Sequence, residues 1–321
     1  MSAKKKEKVL SEQIMHNRLC LISDFSEMTP GAAKLFTNHL NSCFKNAIDI
    51  PEELSDLGWV RTISDLTAKE LSKCTTIEKI NLSGLTQLSD GAAVQITKIN
   101  CRLYQGRGNT SICLDNVASL SDKAMQAISK FTGKSIKLGV EKLSNNGADA
   151  LSKFKGKGVP YEGAGAYYEA GVEFEYNEKL HSGWSREKLN VQIGLLLNNL
   201  NELTESAARS LSKYQGAGMS LMGVRSLSDN AAVALSKFKG FLFLDGLESL
   251  SDTAAKAFSK KKISLMGLKR YTYSGKKRGP GSTEEAITSS ALLMLKQGTI
   301  SKKKILVSSS IYQAIKTAKK I

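Results

Sequence analysis

Two histidine–cysteine pairs four residues apart, His16/Cys20 and His39/Cys43, are the side chains of this chain best suited to chemistry. On helices that spacing sets an imidazole and a thiolate one turn apart, and two such pairs would make a tetrahedral zinc site. The surrounding pattern argues against it. Cys20 falls at an apolar strand position, equivalent to Ile80 and Met219, and is expected to face a core. His181 has no acidic or cysteine partner at a telling distance. There is no Ser/His/Asp set, phosphate-binding P-loop or dinucleotide fingerprint, and Gly163-Ala-Gly-Ala and Gly106-Arg-Gly are too short to cradle a phosphate. These residues point to a non-enzymatic protein that uses no metal and no cofactor.

What remains is chemistry of recognition. Net charge is +16 over 321 residues, and it is uneven: residues 4–8 carry +3, residues 256–321 carry +14, and 9–255 sum to −1. An electrostatic partner such as nucleic acid or an anionic membrane surface is therefore expected at the C-terminal lysines, with Lys276, Lys277, Arg278, Lys302, Lys303 and Lys304 as the anion-binding candidates. A second feature is the stretch 157–190, where Tyr161, Tyr167, Tyr168, Phe174, Tyr176 and Trp184 alternate with glutamates. Val172, Phe174 and Tyr176 read as a strand. Two readings stand for this stretch: a binding loop displayed on a scaffold, or a decayed repeat whose aromatics fill a gap between two half-solenoids.

The elements that must position these groups come from a repeat. LSGLTQLSDGAAVQITK (82–98), LDNVASLSDKAMQAISK (114–130), LNNLNELTESAARSLSK (197–213), LMGVRSLSDNAAVALSK (221–237) and LDGLESLSDTAAKAFSK (244–260) are versions of one unit. A unit this short cannot close a core alone and must stack on its neighbours. Anchors fall at Ile22, Leu57, Leu82, Leu114, Leu138, Leu197, Leu221, Leu244 and Leu265, each of the later ones closing an alternating apolar pair such as Ile112/Leu114 or Leu242/Leu244. Period-2 alternation predicts a short strand with one face buried. Gly or Asn follows two residues on, at Gly84, Asn116, Asn199, Gly223, Gly246 and Gly267, to bend the chain out.

Ser-Asp then opens a helix, with Ser89, Ser121, Ser228 and Ser251 as N-caps and the Asp suited to the positive helix start. Alanine pairs let the helix approach the strands. Lys73, Lys98, Lys130, Lys153, Lys213, Lys237 and Lys260 close it at one register, and Gly133, Gly156, Gly216 and Gly240 are expected as left-handed C′ residues.

The L-x-L-x-G-L-x-x-L-S-D-x-A-A pattern resembles a bacterial-type leucine-rich repeat, with Gly often standing where many such repeats carry Asn. The resemblance covers roughly residues 19–271. It implies an α/β solenoid with a curved parallel sheet, helices on the convex side, and protein recognition on the concave side. Residues 1–18 are then a basic N-terminal segment and 272–321 a basic C-terminal module. That module opens with the linker Ser274-Gly-Lys-Lys-Arg-Gly-Pro-Gly-Ser, then a capping-box helix from Ser282, a strand over 305–307 and a second helix. It reads either as a cap on the last repeat or as a polyanion-binding tail.

With anchors in the core, the intervening side chains face the concave surface. There Leu196, Met222, Phe243 and Met266 are expected to be exposed, interleaved with Asn198 and Asp245, and to be covered either by a protein partner or by the chain's own C-terminal segment. Stacking of open solenoid ends into a homo-oligomer is a third reading. MSAKKKEKVLSEQ lacks the apolar core of a signal peptide, and five cysteines without paired spacing suit reduced thiols, which together predict a cytoplasmic protein.

Overall fold

The computed structural model describes residues 27–45, 57–74, 79–99, 111–160, 192–265, 267–268 and 305–307. Described helices are α1 (Pro30–Lys45), α2 (Asp65–Leu71), α3 (Asp90–Ile96), α4 (Asp122–Ile128), α5 (Asn145–Ser152), α6 (Glu205–Leu211), α7 (Asp229–Leu235) and α8 (Asp252–Phe258). The strands are β1 (Glu27–Met28), β2 (Thr62–Ile63), β3 (Lys79–Asn81), β4 (Ser111–Leu114), β5 (Ser135–Leu138) and β6 (Val159–Pro160). They continue with β7 (Gln192–Ile193), β8 (Leu195–Leu196), β9 (Gly218–Ser220), β10 (Phe241–Phe243), β11 (Ile263–Leu265) and β12 (Ile305–Val307).

Eight of these strands form one parallel sheet in the order β12-β11-β10-β9-β8-β5-β4-β3. Each helix packs on the next one along the chain, so strand and helix layers advance together. The apolar pairs do what their alternation predicts. Ile112/Leu114, Ile136/Leu138, Leu195/Leu197, Met219/Leu221, Leu242/Leu244 and Ile263/Leu265 are all buried against the helices. Each such side chain stabilises the fold by roughly 1.5–3 kcal/mol through removal from water.

The stretch beyond 160 does not divide the sheet. Chain leaves through β6 and returns through β7, which pair antiparallel at Val159↔Ile193 and Pro160↔Gln192. It then enters β8, which pairs directly with β5. Helix α5 likewise packs directly on α6. No gap separates two half-solenoids, so the expectation of a decayed repeat filling one is overturned. At the other end β12 pairs with β11 in parallel, Ile263↔Ile305 to Leu265↔Val307, so residues 305–307 extend the sheet beyond the last helical unit.

Helix starts follow the sequence. Side-chain oxygens of Ser64, Ser89, Ser121, Ser144, Thr204, Ser228 and Ser251 each accept the backbone N–H three residues on. Helix ends do not. The C-cap is an αR residue, for example Ser129, Ser212 or Ser236, whose hydroxyl donates to the carbonyl three residues back. Gly133, Gly156, Gly216 and Gly240 lie farther along, and among the described glycines only Gly158 has positive φ, at 101°. The expected left-handed C′ role is therefore corrected. Gly240 is glycine because of crowding: a Cβ there would stand 2.5 Å from the Ala217 carbonyl oxygen and from the Phe238 ring.

The bends at Gly84, Gly223, Gly246 and Gly267 are glycine for the same reason. A Cβ at Gly246 would lie 1.9 Å from the carbonyl oxygen of Met222 in the preceding unit. Asn199 stands at this register, and the turn before it, at Gly139, is one residue shorter. Its amide reaches past that turn to donate to the Asp115 carbonyl at 3.2 Å.

Candidate interaction faces

The open face of the sheet, turned away from the helices, carries the expected recognition residues, but not as an evenly exposed row. Phe243 is only 4% exposed, which corrects its expected exposure. The reason is cross-strand. Phe241 and Phe243 point to the same face and their ring centroids are 4.7 Å apart. Their register partners on β9 are Gly218 and Ser220, small residues that leave room for rings. Ile193 lies over Gly218, where a Cβ would come 3.4 Å from its Cγ1. Ile193, Phe241 and Phe243 thus form a second small apolar cluster, with half-buried Leu196 and Met222 packed against it. Ile193 and Phe241 were not foreseen; the Phe-x-Phe of β10 opposite the Gly-x-Ser of β9 is the signal that reveals them.

Polar neighbours tie this face together. Ser220 Oγ donates to Asn198 Oδ1 at 2.6 Å, and Ser264 Oγ donates to Asp245 Oδ1 at 2.5 Å. Toward β4, Lys137 pairs with Asp115 at 2.6 Å. Leu196, Asn198, Met222, Phe243 and Asp245 are brought together around β8 to β10. Met266, the aromatic set Tyr161, Tyr167, Tyr168, Phe174, Tyr176 and Trp184, and the basic set Lys276, Lys277, Arg278, Lys302, Lys303 and Lys304 lie outside the described residues.

The histidine–cysteine chemistry reduces to one contact. His39 Nε2 and buried Cys43 Sγ approach to 3.7 Å on α1, while His16 and Cys20 lie outside the described residues. Among the described residues no group of three or more His, Cys, Asp or Glu side chains gathers to hold a metal. No disulfide joins the described cysteines Cys43, Cys74 and Cys113, all buried.

Parallel topology also sorts the loops. In the parallel sheet the described helix-to-strand connections lie on the rim of strand starts, and the described strand-to-helix connections on the rim of strand ends. The strand-end rim holds the Ser/Thr helix caps, and four of the cap hydroxyls also reach back to a carboxylate of the preceding unit. Ser89 donates to Asp65, Ser121 to Asp90, Ser144 to Asp122 (2.5 Å) and Ser251 to Asp229 (2.5 Å). Asn146 adds a 2.9 Å bond to Asp122. These bonds, led by the Ser144 hydroxyl, hold the Asp122 carboxyl below its ordinary range. The strand-start rim carries the lysine row from Lys73 to Lys260. There Lys73 Nζ donates to both oxygens of Glu70 and holds that carboxyl low, and Lys153 Nζ, 2.8 Å from Asp149 Oδ2, lowers that carboxyl as well.

Among the described residues no helix is long and apolar enough to cross a membrane. The molecule is an α/β protein of repetitive, solenoid-like build on a parallel sheet. Set against known proteins, the chain matches no family model and no curated protein.

Proposed function

We propose that the chain is a leucine-rich-repeat scaffold of the cytoplasm, without enzymatic activity, that binds another protein on the open face of its sheet. The observation that carries this reading is the apolar cluster of Ile193, Phe241 and Phe243 with half-buried Leu196 and Met222 beside it. On a solvated sheet face such a cluster is a ready anchor site: rings form a firm floor and the flexible methionine adapts to what lands on it. Asn198 and Asp245 supply a polar border, the arrangement of an apolar centre with a hydrogen-bonding rim found in protein interfaces.

The test is Leu196→Glu combined with Met222→Glu, which places charge on the two half-buried members and spares the more deeply buried rings. Peptides selected from a displayed library against the full chain should lose binding to this variant by at least tenfold, while its thermal unfolding stays close to wild type. If every selected peptide binds the variant as well as the wild type, the open face is not the recognition surface.

A further inference from the structure

The chain sums to near neutrality over residues 9–255, which places any polyanion on its ends. The fold redistributes that charge. From α2 onward, the described residues between each helix and the following strand include Lys130, Lys155, Lys213, Lys237, Lys239 and Lys260 among a larger set of lysines, and not one Asp or Glu. The strand-end connections and first helical residues carry Asp65, Asp90, Asp122, Glu205, Asp229 and Asp252, largely engaged with the caps of neighbouring units or with Arg209. Although residues 9–255 sum to near zero, the described solenoid is basic along one rim and acidic along the other.

We propose that the lysine-lined strand-start rim binds the backbone of a double-stranded nucleic acid, independently of sequence. Four observations carry it. Lys155, Lys213, Lys237, Lys239 and Lys260 are exposed and make no ion pair among the described residues. Lys213, Lys237 and Lys260 stand at one register of consecutive units, with Lys155 and Lys239 two residues farther along their own connections; a row at a pitch between the ~4.8 Å separation of strands and the ~8–10 Å separation of packed helices lets successive units reach along a linear polyanion. Near the middle of the rim a cavity of about 460 Å³ opens between Lys134, Lys155 and Lys157, floored by Gly133, Gly156 and Gly158, large enough to admit a phosphate.

The fourth observation concerns the kind of polyanion. The aromatic residues of these connections, Phe131, Phe154, Tyr214 and Phe238, are buried, so among the described residues the rim offers no ring for an unpaired base to stack on. Among the described residues the exposed large apolar side chains, Leu35, Leu66, Val94 and Val233, all sit within helices, so the described rim offers no apolar anchor for a bilayer. Lysine rather than arginine gives point charges without bidentate base reading. A duplex backbone fits that chemistry best.

The experiment measures anisotropy of a labelled duplex of roughly 24 base pairs with the full chain, across a salt series in which the logarithmic slope reports the phosphates neutralised. The rim variant changes Lys155, Lys213, Lys237, Lys239 and Lys260 to Gln; a tail variant changes Lys302, Lys303 and Lys304 to Gln. The rim variant should bind at least tenfold more weakly with a shallower salt slope, the tail variant should stay within about threefold of wild type, and arginine at the five rim positions should restore binding. Circular dichroism and melting of each variant verify that the fold is intact. An unchanged affinity and slope in the rim variant overturns the proposal. So does wild type that leaves the duplex unbound at low salt, or that binds single strands or anionic vesicles in preference to it.

Discussion

Lys261 holds the register occupied by Phe131, Phe154, Tyr214 and Phe238 in earlier units. Phe154, Tyr214 and Phe238 stack in line, with centroids 6.1 and 6.0 Å apart, and Lys261 Nζ lies 4.9 Å from the centre of the Phe238 ring. Its ammonium donates to the Gly240 carbonyl at 2.9 Å, just as the Tyr214 hydroxyl donates to Gly156 at 2.7 Å. The last connection is too short for another ring, since Ile263 follows two residues later where Leu242 follows Phe238 by four. A flexible lysine spans the rung instead. Burial, with Lys262 beside it, lowers its pKa to about 8. The unfolded chain then binds more protons than the folded one between about pH 8 and the ordinary value of 10.5, so this group adds stability as pH rises through that window. Wild type should therefore gain melting temperature relative to Lys261→Met from pH 8 to 10.5, and the difference between them should be flat from pH 6 to 7.5. A constant difference across the whole range would mean that the ammonium is not desolvated.

At the scale of the element, the Ser-Asp step does two jobs. The serine caps its own helix and also donates to the Asp of the unit before, linking helix starts into a ladder. Ser144→Ala removes the cap to Gly147 N–H (2.8 Å) and the bond to Asp122, and should cost roughly 1–2 kcal/mol. Ser228→Ala should cost less, because Glu205 rather than Asp stands at the preceding register and only the cap to Ala231 is lost. Asp122 is depressed in the fold, so its contribution is present above the ordinary value of 3.8 and is lost as pH falls below it. In Ser144→Ala its titration, followed by NMR, should move up toward 3.8. An unmoved titration would assign the depression to Asn146 alone. The cap half of this device was legible in the sequence, because Ser before Asp at a helix start is local chemistry. The ladder was not, because it exists only once two units are stacked in register. The same holds for Phe243: its alternation gave the correct face, whereas its burial depends on Gly218 and Ser220 one strand away.

Over the whole molecule, stacking converts a periodic sequence into a charge-polarised body. Position in the repeat, which linear charge counting ignores, decides the rim: lysines follow the helices and carboxylates open most of them. Reading the Lys and Asp registers separately would have exposed the separation from sequence. A rim with unpaired lysines every few ångströms repels itself, and each rung adds to a repulsion that acts against the compact state. That repulsion is between exposed charges closer than the ~8–10 Å screening length of physiological salt, so moderate salt should relieve it. Melting temperature should therefore rise between about 20 and 300 mM sodium chloride, by a few degrees for a chain of this size. With Lys155, Lys213, Lys237, Lys239 and Lys260 changed to Gln, the low-salt melting temperature should already lie above wild type and respond less to salt. A wild-type curve that falls with salt would mean that the attractive pairs, such as Lys137 with Asp115 and Arg225 with Glu248, outweigh the rim. The charge-polarised body would then be held together by its contacts between rungs rather than strained by its lysine edge.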